Sequence, residues 1–342
     1  MSKARLQMMA AMMGGSGGGE VDPLTVPLTI KSLGSGKVSG YCISPVTGQI
    51  SKVYVSKNGG EWVEWSRPSS SDTVWGTLDV AEGDTVAVKG TGKWSGNNRF
   101  ELTDSNGNKT GSPLFDVYGN VMSLSFGDSF STATDLSSLG TKSFNNLFLN
   151  QALLRSAEGL LLPAATLTNN CYDSMFSGCT GLIDSPALPA ATLANYCYQK
   201  IFLGCSSLTS ATAMSATTLA TGCCKNMYQN CTSLTDAGAL PVTTLANNCY
   251  QQMFAGCTSL AEAPVLPANT LVSGCYSSMF DGCSSLNHIK AMMTDTPDYG
   301  TTGTWVRGVA SSGTFVKNAS ATWSVTGQNG IPSNWTIETS NE

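Results

Sequence analysis

The residues best equipped for chemistry in this 342-residue chain are twelve cysteines and one histidine. A thiolate serves as nucleophile, metal ligand or disulfide partner, and each use requires particular neighbours. Ten of the cysteines fall into two columns. Cys171, Cys197, Cys223, Cys249 and Cys275 lie 26 residues apart, as do Cys179, Cys205, Cys231, Cys257 and Cys283. The Cys-x7-Cys pair within each copy lacks a histidine and does not match a zinc site, whose ligands come more closely spaced. A high cysteine count in a small secreted chain suggests disulfides. Spacing set by a repeat instead suits a ladder of buried, reduced thiols, because free cysteine behaves as a small hydrophobe. The expectation is a reduced core ladder, with some disulfides or a metal as the alternatives.

The histidine, His288, follows the last repeat and reads as a polar residue at its edge. The acidic residues Asp173, Asp184, Asp236, Glu262 and Asp281 are read as sharing no column, so neither a carboxylate pair nor a calcium ladder is expected. Gly34-Ser-Gly-Lys37 invites a phosphate-loop reading. It lacks the leading glycine, and Val38 stands where a hydroxyl would be needed. No motif couples a nucleophile to a base. The expectation is a protein that is not an enzyme, with no cofactor and no metal.

Binding is the other kind of chemistry. Tyr172, Tyr198, Tyr250 and Tyr276 form a column broken by Cys224, which would stack on sugar rings if exposed and would otherwise be packing. The doublets Asp173-Ser174, Gln199-Lys200, Lys225-Asn226, Gln251-Gln252 and Ser277-Ser278 vary while their neighbours do not. The candidate ligand-binding residues are therefore the four tyrosines with Lys200, Lys225 and Gln251. The charged fraction of 12% and the net charge of −5 argue against nucleic acid, which needs clustered cations. No apolar run reaches the roughly 20 residues of a membrane span.

The elements that must carry these residues are written into the period. Leu167, Leu193, Leu219, Leu245 and Leu271 share the 26-residue step, as do Leu182, Leu208, Leu234, Leu260 and Leu286. A third column runs Leu162, Leu188, Met214, Leu240, Leu266 and Met292. A fixed period of this size means one supersecondary unit per copy, stacked to share a core. The expectation over 135–293 is a solenoid of one degenerate and five full repeats. Leu139, Leu147, Phe148 and Leu154 belong to the degenerate copy. In each full copy the apolar residues after the first Cys predict a short helical turn, ended by a left-handed Gly178, Gly204, Asn230, Gly256 or Gly282. An extended piece ending in proline follows, pairing in parallel with its sisters. Residues 294–342 read as a separate small β-rich cap sealing the last edge with tryptophans.

Upstream, Leu28–Ile30, Val53–Val55, Trp62–Trp65, Trp75–Val80, Thr85–Val88 and Phe115–Val117 read as strands, with hairpin turns at Asn58-Gly59 and Asn106-Gly107. They predict a β-sandwich over 21–130. Residues 1–20 read as a tail whose Gly14–Gly19 run builds no core. Within it Leu6, Met8, Met9, Met12 and Met13 are candidates for docking into a larger assembly. The fold class expected is thus mixed and β-rich: sandwich, repeat solenoid, cap.

The wording Met-Phe-x-Gly-Cys-Thr/Ser-Ser-Leu followed by Pro-x-Leu-Pro-Ala, clearest at Met253–Ala268, resembles the BspA-type leucine-rich repeats of gut Bacteroidota. Ile289–Trp335 and Met122–Asp128 resemble the tail and lead-in of the same architecture in that group's surface proteins, phages and prophages. The resemblance covers about 122–339 and implies adhesion and receptor engagement, with no catalytic residues to carry over. Exported bacterial members carry a signal or lipobox, and Met1–Gly19 matches neither pattern. That favours a phage virion structural protein: a head or tail fibre, or a decoration protein. Its expected partners are other virion proteins through the tail, a host cell-surface protein or glycan, and further copies of itself. The alternative is a bacterial cell-surface adhesin.

Overall fold

The structure is a computed structural model that describes residues 21–42, 52–65, 74–94, 98–212, 214–240 and 242–341. The docking candidates Leu6, Met8, Met9, Met12 and Met13 lie outside the described residues. The described residues are β-rich, 28% strand against 7% helix, in several sheets, none of them closed.

Among the described residues eight strands precede the repeats: β1 (Leu28–Ser32), β2 (Gly36–Cys42), β3 (Lys52–Lys57), β4 (Val63–Trp65), β5 (Val74–Val80), β6 (Thr85–Thr91), β7 (Asn98–Asp104) and β8 (Phe115–Asn120). They form two sheets, one running β8-β1-β6-β3-β4 and the other β5-β2-β7. The β3–β4 turn carries positive φ at both Asn58 and Gly59, as a tight two-strand reversal requires. The sequence reading overlooked β2 and β7. β2 is the middle strand of its sheet and contains Gly36 and Gly40, which weaken any strand signal. Their bareness has a purpose. A Cβ on Gly40 would lie 2.9 Å from the Trp65 ring, and one on Gly36 would lie 3.1 Å from the Phe115 ring. The opposite sheet packs directly onto this glycine track. Gly36 and Lys37 are thus strand residues, in agreement with rejecting a phosphate loop.

The sheet of the N-terminal strands continues into the first repeat. β8 is buried along its whole length. It pairs in parallel with β9 (Leu154–Ser156) and β10 (Leu160–Leu161), so the first sheet runs on into the first repeat. Arg155 grips Asp116 of β8 with two bonds, Nε–Oδ1 2.9 Å and Nη2–Oδ2 2.5 Å. The other sheet joins too, since the Phe100 N–H of β7 donates to Leu147 O at 3.0 Å and the Leu102 N–H to Gln151 Oε1 at 2.8 Å.

Where a helical turn was expected, each copy forms an unbroken run of tight turns. In the first full copy the N–H groups of Cys171, Asp173, Met175, Ser177 and Cys179 donate to the carbonyl three residues back. The alternate N–H groups, of Asn170, Tyr172, Ser174, Phe176 and Gly178, donate 25 residues forward to the next copy. This ribbon points two residues in and two out. The spacing of one, four and five after the first Cys fits it as well as it fits a helix. The second outward residue is left-handed each time: φ is +60° at Asn170, +57° at Ser174 and +75° at Gly178. Among the described residues the extended pieces of the first four full copies make isolated parallel bridges, such as Leu188–Met214 and Ser210–Asp236, in place of the expected strands. Prolines without N–H groups (Pro189 and Pro267) keep the ladder from growing.

The small β-rich segment expected over 294–342 contains strands near Thr314–Val316 and Trp335–Ile337, and it is continuous with the copies before it. The ribbon continues through a further copy, in which Tyr276, Ser278, Phe280 and Gly282 donate to Thr301, Gly303, Trp305 and Arg307. β11 (His288–Ala291), β12 (Thr314–Asn318) and β13 (Thr336–Ser340) form a parallel sheet in which His288 pairs with Thr314. Residues 294–342 therefore prolong the stack.

A Cβ on Gly76 would meet Trp65 ring atoms at 2.7 Å, and Gly76 needs no positive φ. Gly76→Val is expected to destabilise the protein by about 1–3 kcal/mol through overpacking. Urea denaturation followed by tryptophan fluorescence measures it.

Candidate functional site

The inward residues of the ribbon build two aromatic columns. One runs from Trp94 and Phe100 through Phe148, Phe176, Phe202, Tyr228, Phe254 and Phe280 to Trp305, with successive ring centroids 5.1 to 6.3 Å apart. That is the range in which offset rings attract. The other holds the tyrosines proposed as ligand contacts, and here the structure overturns the proposal. Tyr172, Tyr198, Tyr250 and Tyr276 are at most 1% exposed. Phe144 stacks on Tyr172 at 6.1 Å, and Trp305 closes the far end against Tyr276 at 6.3 Å. These rings are packing and present nothing to a ligand.

The break at Cys224 has a local explanation. Cys224 leaves space that Met214, the odd member of its leucine column, helps to fill, with the two sulfurs 3.7 Å apart. The same copy has Tyr228 in the phenylalanine column, where its hydroxyl accepts from the Thr212 N–H at 3.0 Å. The hydroxyls of Tyr172, Tyr198 and Tyr250 have no partner and are buried. Two substitutions separate these cases. Tyr198→Phe, which removes an unpaired buried hydroxyl, is expected to leave stability unchanged or to raise it, whereas Tyr228→Phe is expected to cost about 0.5–1.5 kcal/mol. Parallel thermal denaturation of the two variants decides.

All eleven cysteines of the repeats are buried with free thiols. The second column has a specific task. Cys179 Sγ donates to Phe148 O at 3.0 Å, Cys205 to Phe176 O at 3.2 Å, Cys231 to Phe202 O at 3.1 Å and Cys283 to Phe254 O at 3.0 Å. Each thiol thus caps the carbonyl of an aromatic residue one copy back, a small buried donor where water has no access. Burial pushes the thiols of Cys179, Cys231 and Cys283 up to about 12, from an ordinary value of 9.0. Among the described residues no group of three or more His, Cys, Asp or Glu side chains is placed to hold a metal. Native protein at pH 8 is expected to leave these eleven thiols unmodified by iodoacetamide, and urea to expose them all. Raised folded-state values stabilise fully below the ordinary thiol range. Stability should therefore fall from about pH 9 to about pH 12, as the unfolded chain sheds protons the folded one retains. Mass spectrometry reads the first effect and urea midpoints against pH the second.

The outward residues form the accessible faces. Lys200, Lys225 and Gln251 are half-buried on the outer side of the ribbon. They are brought into one row, because the Lys200 N–H donates to Lys225 O and the Asn226 N–H to Gln251 O, both at 2.9 Å. Asn226 is locked between neighbours, donating to Gln229 Oε1 at 2.7 Å and to Gln252 Oε1 at 3.1 Å. Burial raises the Asp173 carboxyl at the same level of the first copy.

A second face corrects the reading of the acidic residues. Asp184, Asp236 and Glu262 do share one column, together with Ser210 and His288. The bridges Ser156–Asp184, Ser210–Asp236 and Glu262–His288 fix that register. His288 Nδ1 sits 3.4 Å from Glu262 Oε1. Two shallow depressions open along this ledge, about 320 Å³ beside Asp184 and about 300 Å³ between Asp236 and Glu262. The 26-residue step from Asp236 to Glu262 was the available signal, and Ser210 breaks it only between Asp184 and Asp236.

Among the described residues no helix is long and apolar enough to cross a membrane. Comparison with protein-family models, curated proteins and solved structures finds no match.

Proposed function

We propose that the chain is a non-enzymatic phage virion structural protein, a head or tail fibre or a decoration protein. Its stacked copies would form a leucine-rich-repeat solenoid of the BspA type that adheres to a host cell-surface protein or glycan. The observation that carries the reading is the division of labour within each copy. Residues constant between copies face inward, while the letters that change, Gln199-Lys200, Lys225-Asn226 and Gln251-Gln252 among them, lie on the outer face. A stack of this kind lengthens its outer surface by one row per copy without a new core, which suits recognition of extended partners. The resemblance of Met253–Ala268 to such repeats, and of Ile289–Trp335 to the tail that accompanies them, supports the same family. In this reading Leu6 and the methionines Met8, Met9, Met12 and Met13 attach the chain to other virion proteins, and the assembled form is a homo-oligomer.

A bacterial cell-surface adhesin is the second reading, supported by the same repeat wording. Location separates the two. Antibody raised against residues 294–342 is expected to label purified phage particles in immunogold electron microscopy. Labelling confined to the bacterial outer membrane, with unlabelled particles, would replace the virion reading with the adhesin.

A further inference from the structure

The tyrosine column is buried, but other aromatic side chains reach solvent. Trp62 is 40% exposed, an uncommon expense for the largest side chain. It borders a cleft of about 360 Å³ on the outer face of the first sheet, bounded also by Tyr54, Lys89, Gly90, Gly127 and Asp128. That volume lies at the small end for small-molecule sites.

The cleft is built in place. In the register of β4, β3 and β6, Glu64, Tyr54 and Lys89 stand in one cross-strand row. The turn after Phe126 closes over the end of β6 because two glycines allow it. A Cβ on Gly90 would lie 2.6 Å from Leu124 O, and Gly127 has a φ of +51°. Lys89 is held from two sides, its Nζ 4.2 Å from the centroid of the Trp62 ring and 2.6 Å from Asp128 Oδ1. The Asp128 side chain is 91% exposed, so its second oxygen is open to a ligand.

The charges select the ligand. Lys89 and Asp128 neutralise each other, so an anion would have to displace the carboxylate and a cation the ammonium. What the pair offers without disruption is one fixed donor and one fixed acceptor, side by side, beside aromatic carbon. That arrangement matches adjacent hydroxyls on a ring whose other surface is C–H. We propose that this cleft binds a neutral pyranose unit of a glycan, with Trp62 and Tyr54 against the ring and Asp128 and Lys89 on its hydroxyls. Glycan binding is thereby assigned to the sheet before the repeats, and it holds whether the protein is carried by a virion or a cell.

Isothermal titration of the full chain with methyl β-galactopyranoside, methyl β-glucopyranoside and neutral O-glycans released from gastric mucin tests it, with sialylated and sulfated O-glycans as the charged comparison. Binding of at least one neutral probe is expected. Trp62→Ala and Asp128→Asn should each weaken it about tenfold or more, the scale set by losing one charge-assisted hydrogen bond or its equivalent in ring contact. Tyr299→Ala, at an exposed aromatic outside the cleft, should leave it unchanged. Should Trp62→Ala unfold, Asp128→Asn on the surface decides alone. The proposal is overturned if no neutral probe binds, if only the charged glycans bind, or if the cleft variants bind as the parent does. Particle labelling is independent of all these outcomes, so either proposal can fail without the other.

Discussion

The alternation of backbone N–H groups along the ribbon is the constraint on which the rest of the repeat region depends. A buried peptide group must find a partner, and helices and sheets each meet that demand in one direction. Here successive N–H groups take turns: that of Met175 closes a tight turn on Tyr172 O, and that of Phe176 reaches Ile201 O in the next copy. Neither half is sufficient alone. A single copy would leave every second donor bare, so each copy is stable only between neighbours, and the columns of side chains follow from that stacking. The inward pair of each four-residue step must then be apolar, and its successors in the next copy lie directly over it. The thiol of the second cysteine column completes the scheme as a second donor to an aromatic carbonyl that already accepts a turn N–H.

A stack so organised has two ends where alternate donors or acceptors lack a sister copy, and the chain treats them differently. At the first end the sheets preceding the repeats supply the partners. Gln151 stands where later copies carry the second cysteine, and its longer side chain accepts from the Leu102 N–H while donating to Leu149 O. A thiol has too little reach for both bonds. Asp116 and Arg155 lock the adjoining strands. At the other end Trp305 spans both aromatic columns, and its Nε1 donates to Gly330 O at 2.9 Å. The rings Phe315 and Trp323 then turn edge-on, which ends the regular stacking.

Much of this was legible because a repeat exposes its own grammar. The period, the inward letters and the left-handed glycines at Gly178, Gly204, Gly256 and Gly282 were all visible in the sequence. The ribbon was mistaken for a helical turn because residues at one, four and five after the first Cys fit both geometries. The left-handed Ser174, Lys200 and Gln252, which no helix would accept, carry no compositional mark. The last copy escaped notice because Thr301, Thr302 and Trp305 replace Cys, Tyr and Met, although Gly308 keeps the 26-residue step from Gly282. β2 was missed for the opposite reason. Its glycines are dictated by the Trp65 ring over Gly40 and by Thr103 O, Pro113 and Phe115 around Gly36, a tertiary demand that no local pattern announces. The Trp62 cleft was equally unreadable, since Lys89 and Asp128 meet only where the turn after Phe126 folds over β6.

The same geometry ranks the outer residues for the proposed recognition role. Each outward doublet has an unconstrained first member and a left-handed second member: Lys200 has φ +55°, Asn226 +58° and Gln252 +55°. Holding a non-glycine residue in that region costs free energy, least for asparagine. Asn226 recovers it through two side-chain hydrogen bonds and is buried by them, so its identity is fixed by the stack. Lys225 and Gln251 are first members, and nothing in the backbone restricts their type. Lys200 carries the conformational cost with neither a glycine's freedom nor asparagine's local bonds. Its charge acts on the half-buried Asp173 carboxylate of the preceding copy, so the stack itself supplies a reason to keep a cation there.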